Sequence, residues 1–230
     1  PHDKKLHNKE ENQPLRVTNE AANTTVDINN YIESHHLKHA EIKEDPRIDN
    51  LPKYSYKSGK YIGFVVHETG NPNSNLSGEA NYMYGHYNSA FVHAYVDANE
   101  IRQVAPADYL SWGSGPIGNV YYYQAELVHA HSVDEFARSV NNDAYLAAYM
   151  LKRNGLKPQL ADNHNGQGTI ISHNAISRYY GGTDHTDPIS YFASWNYSMN
   201  DYFKLVQKHY NQLNNHTSKQ GQDKTKAPIK

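Results

Sequence analysis

The stretch Tyr61-Ile62-Gly63-Phe64-Val65-Val66-His67 decides how this chain reads. It is a short, nearly continuous run of β-branched and aromatic side chains, as expected of a strand covered on both faces, and its polar exit is His67. Downstream, the stretch from Gly78 to Tyr87 reads as helix, and Ala90 to Val96 and Ile101 to Val104 flank Asp97-Ala98-Asn99-Glu100 like two hairpin strands. Gln124 to His129 reads as a further strand. Ser132-Val133-Asp134-Glu135 is a capping box, and Phe136, Val140, Ala144, Leu146, Ala147, Met150 and Leu151 recur near helical spacing until Gly155 stops them. Thr169 to Ser172 is a brief apolar piece, and Met199 to Tyr210 is an amphipathic helix. Upstream, Thr24 and Thr25 can cap a helix carrying Val26, Ile28, Tyr31 and Ile32 roughly on one face. The expected class is α/β, a central mixed β-sheet flanked by helices.

The ends read differently. Residues 1–23 are dominated by Lys, Asn, Glu, His and Gln with almost no apolar spacing, a composition that cannot offset the entropy of ordering, so they read as a disordered linker. Residues 214–230 repeat Asn, Gln, Lys, Thr and Ser and read as a second connector. One domain is expected at 24–213, including an N-terminal arm. The chain starts at Pro1 without an n-region or h-region, so it reads as a piece of a longer precursor.

Composition excludes several classes. A net charge of −2, with basic and acidic residues intermixed, offers no footprint for nucleic acid. No apolar run approaches the roughly 20 residues needed to span a bilayer. Cysteine is absent, which removes disulfides, thiolate catalysis and Cys-ligated zinc; a metal site would be built from His, Asp, Glu and water, and 15 His can supply it. Residue types then single out His67 at a strand end, His173 after a short apolar piece, and Thr183-Asp184-His185-Thr186-Asp187-Pro188. Two His and one carboxylate with a fourth position open is a common arrangement for catalytic zinc, but the wide spacing matches no compact metal motif, and each residue alone reads equally as an ordinary polar side chain. In an extended segment His185 and Asp187 face the same side. Glu126 lies between Ala125 and Leu127 and points away from Leu127. Among the other histidines, His93 reads as a hydrogen-bonded strand residue, and His86, His164 and His209 as surface residues; a His129–His131 metal pair is a weaker alternative.

Four separated motifs carry a resemblance. Val65-Val66-His67-Glu68-Thr69-Gly70-Asn71, Tyr109-Leu110-Ser111-Trp112-Gly113, Ala125-Glu126-Leu127-Val128-His129 and Gly181-Gly182-Thr183-Asp184-His185-Thr186-Asp187-Pro188 resemble, in the family's order, the amidase domain of Gram-positive autolysins. These are type 2 N-acetylmuramoyl-L-alanine amidases, which share a fold with phage amidases and peptidoglycan recognition proteins. The resemblance implies a Zn²⁺ site of His67, His173 and Asp187, with Glu126 activating water and His185 steadying the oxyanion. It implies hydrolysis of the bond between N-acetylmuramic acid and L-alanine of peptidoglycan, in cell-wall turnover or autolysis. It further implies a secreted protein at the cell wall of a Gram-positive bacterium, with wall-binding repeats beyond the C-terminal connector. Trp112, Asn71 and His129 are the candidate substrate contacts. A non-catalytic peptidoglycan-binding module and a zinc peptidase cutting the stem peptide remain as alternatives.

Overall fold

The computed structural model describes residues 22–226. Helix α1 (Ile28–Ser34) begins at Asp27, whose side chain accepts from the Asn30 amide at 3.0 Å. The cap is thus Asp27 rather than Thr24 or Thr25; Thr24 Oγ1 instead accepts from Val26 N at 3.0 Å. Strand β1 (Ile42–Glu44) leads to β2 (Gly63–Glu68), the run that opened the sequence reading, and all six of its residues are buried. Helix α2 (Leu76–His86), the short antiparallel pair β3 (Ala94–Val96) and β4 (Ile101–Gln103), and helix α3 (Gly115–Tyr121) follow. Then come β5 (Tyr122–Leu127), α4 (Val133–Arg153), β6 (Ile170–Ser172), α5 (His173–Tyr179), α6 (Ile189–Ser194) and α7 (Met199–Lys226).

The six strands form one sheet in the order β1-β4-β3-β5-β2-β6, parallel except for β3 against β4. The expected mixed sheet flanked by helices is what forms. Period 2 assigns its faces. Phe64, Val66, Tyr123, Ala125 and Leu127 join the main core with Phe136, Val140 and Leu151 of α4 and Tyr202 and Val206 of α7. Val65, Tyr122 and Ile171 turn the other way and pack on Ala175 and Ile176 of α5. Helix α4 starts where Ser132 Oγ accepts from Glu135 N at 3.2 Å and stops before Gly155, whose φ is +68°. The return contact of the expected capping box is shifted by one residue, Glu135 Oε2 accepting from His131 N at 2.8 Å.

Two expectations need correction. Helix α7 continues to Lys226 instead of ending at Tyr210, because the polar residues beyond Tyr210 include no proline to stop an established helix before Ala227-Pro228. His209 is buried, not superficial: its Nε2 lies 2.7 Å from Asn141 Oδ1 and its ring meets Tyr145 edge-on. Burial holds its pKa down at about 3. Residues 1–21 of the expected linker lie outside the described residues.

Candidate metal centre

Three neighbouring parallel strands set up the site. In the register, His67 on β2 pairs with Glu126 on β5, and Val66 pairs with Ser172 on β6, so His173, His67 and Glu126 form a row across the carboxyl ends of β6, β2 and β5. Ligands of open α/β sheets gather at such ends. His67, Gln124 and Glu126 share the sheet face opposite the main core by their period. All three are buried.

Asp187 arrives from a loop that α5 holds in place. Asn174 N donates to Asp187 O at 3.1 Å, and Ser177 Oγ donates to the carbonyl of His185 at 2.6 Å. Helix α5 is itself anchored, since Ser172 Oγ accepts from Ala175 N at 2.9 Å and donates to Asp162 Oδ2 at 2.5 Å. The 187–188 peptide is cis. The Asp187 carboxylate reaches His67 Nδ1 at 3.0 Å through Oδ2 and His173 Nδ1 at 3.1 Å through Oδ1, and the two Nδ1 atoms stand 3.1 Å apart. The three donor atoms lie within 4.8 Å of one another and all three residues are buried.

The far side of each ring meets a polar partner. His67 Nε2 lies 2.8 Å from Gln124 Oε1, which accepts from a protonated Nε2, and His173 Nε2 lies 2.7 Å from Thr183 Oγ1, a hydroxyl able to accept or to donate. The tautomer that carries its hydrogen on Nε2 leaves Nδ1 as a lone pair in each ring, and the two Nδ1 atoms converge with a carboxylate on one point. Buried electron-pair donors that converge this closely could hold a cation between them. Two imidazoles and a carboxylate suit zinc, and an outer hydrogen bond on each imidazole is the usual support of such a ligand. The donor set therefore fits the metal that the motifs imply.

The remaining candidates are distributed around this point. His185 stands with its ring 4.8 Å from that of His173 and lines a cleft of about 240 Å³ together with Trp112 and Thr183. Trp112 is fixed there by donating Nε1–H to Tyr87 O at 2.8 Å and by an edge contact with Phe91. Asn71 is not part of this cleft; its Oδ1 accepts from Asn73 N at 3.1 Å and closes a turn. His129 lines a separate cleft of about 180 Å³, stacks on Tyr191 and bonds through Nε2 to the buried Glu68. His93 is buried as expected, accepting at Nδ1 from Gln124 N at 3.0 Å and donating from Nε2 to Tyr109 O at 2.7 Å. Burial lowers its pKa to about 4, so it stays neutral.

Sequence reading did not single out Gln124 or Thr183. Gln124 was within reach of it, lying two residues before Glu126 on the same strand face. Thr183 sits inside the quoted motif, but nothing in a linear pattern shows that its hydroxyl faces His173. Burial of Glu68 against His129 left no sequence signal at all.

Comparison with known proteins agrees with this geometry. Residues 58–190 match the family model described as N-acetylmuramoyl-L-alanine amidase. The chain is 48% identical over 185 residues to a bifunctional autolysin of Staphylococcus epidermidis, covering 80% of this chain and 14% of that protein. It is 44% identical over 186 residues to protein Ami of Listeria monocytogenes, covering 80% of this chain and 20% of that one. It thus spans a small part of the length of these relatives. Among solved structures, Staphylococcus aureus hydrolase AmiA in complex with its ligand superposes with a TM-score of 0.78 at 44% identity, covering 83% of this chain and 93% of that one. The E90A mutant of PlyL shares the fold, with a TM-score of 0.54 at 19% identity over 73% of this chain and 99% of that one. The chain belongs to the N-acetylmuramoyl-L-alanine amidase family.

Proposed function

We propose that this domain hydrolyses the amide bond between the lactyl group of N-acetylmuramic acid and L-alanine of peptidoglycan, with zinc held by His67 Nδ1, His173 Nδ1 and Asp187. The observation that carries the reading is the convergence of these three buried donors in a member of this family. A zinc ion bound there supplies Lewis acidity for a substrate carbonyl and for water at neutral pH. Glu126, in register with His67, accepts the proton of the water that attacks the carbonyl carbon and passes it to the departing L-alanine nitrogen as the C–N bond breaks. His185, beside His173, donates an N–H to the oxygen that gains charge. Gln124 and Thr183 hold the two imidazoles in the productive tautomer.

The deciding experiment is mass spectrometry of digested peptidoglycan, with and without a chelator. Release of stems with a free L-alanine amine from intact sugar chains, abolished by the chelator, supports the proposal. Cleavage between stem amino acids would make the chain a peptidase, and binding without any cleavage would make it a recognition module. Glu126→Ala is expected to retain zinc and lose activity by about 10²–10⁴-fold, whereas His67→Ala loses both. Digestion by Glu126→Ala at the parental rate would refute the assigned role.

Around this domain we infer a longer wall-directed protein, in which residues 1–23 and 214–230 serve as connectors and a C-terminal region binds the wall. The greater length of the relatives supports this reading. Among the described residues no helix is long and apolar enough to cross a membrane. Secretion to a Gram-positive cell wall agrees with the staphylococcal and listerial autolysins and Ami to which the chain is similar.

A further inference from the structure

Two of the three proposed ligands depend on one short helix. His173 is the first residue of α5, and the same helix holds the loop that brings Asp187. Asn174 N reaches the Asp187 carbonyl at 3.1 Å and Ser177 Oγ the His185 carbonyl at 2.6 Å. His67 stands apart on β2, a strand buried along its whole length and paired on both sides. The seat of α5 therefore sets the spacing of His173 and Asp187 from His67.

That seat is made by the loop between α4 and β6. The Asp162 carboxylate grips the residue before His173 twice, Oδ1 accepting from Ser172 N at 3.0 Å and Oδ2 from the Ser172 hydroxyl at 2.5 Å. Ser172 Oγ accepts in turn from Ala175 N at 2.9 Å as the cap of α5. Its hydrogen is thus committed to Asp162 and a lone pair to the helix. The loop that carries Asp162 has little freedom of its own. Thr169 N and Ile170 N both donate to Gln159 O, at 2.9 and 3.0 Å, and Gly166 N donates to Ala161 O at 2.9 Å. A Cβ on Gly168 would lie 2.6 Å from both Ala161 N and Gln159 O, so the loop closes on itself without room for a side chain there. The far end of α5 rests on the same loop, where Tyr180 OH donates to Gly166 O at 2.5 Å.

Resting on the reading of His67, His173 and Asp187 as zinc ligands, we propose that Asp162 is a positioning residue of the metal centre. Its carboxylate bonds Ser172 rather than a ligand, and it acts through that residue. By fixing the start of α5 it brings His173 Nδ1 and the Asp187 carboxylate to the place where His67 Nδ1 already stands. Metal–ligand distances are held to within about 0.2 Å, whereas a packed helix survives larger displacements. A shift of α5 too small to unfold the domain is therefore felt first as lost metal affinity.

The test is a zinc competition titration of the 230-residue chain, with Tm measured in chelator and in excess zinc. Asp162→Ala is expected to weaken zinc binding about 10–100-fold, and Asp162→Asn, which keeps one acceptor for Ser172, to weaken it less. The rise in Tm on adding zinc should shrink in the same order. A purely structural loss lowers Tm with and without zinc alike and leaves that rise unmoved. Tyr180→Phe serves as the control, because it frees the other end of α5; it is expected to lower Tm while zinc affinity stays parental. Should Asp162→Ala not fold, Asp162→Asn carries the comparison. Parental affinity in the folded Asp162 variants overturns the role. Equal weakening by Tyr180→Phe overturns it too, since affinity would then follow fold stability alone. A parental chain that binds no zinc overturns the metal reading instead, and the role of Asp162 falls with it.

Discussion

At the scale of single residues, the candidate ligands were legible as residue types, and their chemistry was not. His67, His173 and Asp187 stand out in the sequence as two imidazoles and a carboxylate, but which nitrogen of each ring is the donor depends on Gln124 and Thr183. Hydrogen bonds from Nε2–H to these two side chains would leave Nδ1 as the lone pair. The consequence is testable: Gln124→Leu and Thr183→Val should each weaken zinc binding about 10–100-fold in a competition titration, with far-ultraviolet circular dichroism unchanged. Parental affinity in both variants would mean that the outer hydrogen bonds do not tune the site. His209 shows the opposite limit of sequence reading. Its helix position next to polar Lys208 suggests solvent, yet the neighbouring α4 supplies Asn141 and Tyr145 to cover it.

At the scale of elements, the strand that opened the sequence reading tolerates little change at one position. A Cβ on Gly63 would meet Thr169 O at 2.8 Å and the Tyr122 ring at 2.9 Å, contacts from the strands or approaches on either side of β2. Gly63→Ala should therefore destabilise the fold by about 1–3 kcal/mol through overpacking, read as a fall in the urea midpoint without a change in slope. Helix α4 carries a different liability. Asp143 is fully buried against α7, where Tyr202 OH donates to Oδ1 at 2.5 Å and Oδ2 finds no partner among the described residues. Desolvation pushes its pKa up to about 7. Since the folded chain keeps this proton while the unfolded chain releases it near the ordinary carboxylate pKa, stability falls as pH rises between the two values, by up to about 1.4 kcal/mol per unit. Asp143→Asn retains an acceptor for Tyr202 and removes the charge. Its Tm should exceed the parent's by a margin that grows from pH 5 to pH 8; a margin independent of pH would show that Asp143 does not titrate in this window.

At the scale of the whole molecule, the proposed metal ties together parts of the chain that are distant in sequence, a strand end at 67, a helix start at 173 and a loop at 187. A ligand bound only by the folded state stabilises it by mass action, about 4 kcal/mol at a thousandfold excess over Kd. Chelation should then lower Tm by on the order of 10 °C, and added zinc should restore it. A Tm indifferent to chelator would argue against a bound structural contribution from the metal. How much of this was legible beforehand follows from what is local. The covered strand, the capped helix ending at Gly155 and the types of the candidate ligands were determined by the sequence alone, because periodicity, capping and donor chemistry are properties of neighbouring residues. The alignment of β6, β2 and β5 that places His173, His67 and Glu126 in one row was decided only by the tertiary structure, as were the cover over His209 and the grip of Asp162 on Ser172. Strand order, register and loop anchoring depend on contacts between residues far apart in the chain, which no local pattern specifies.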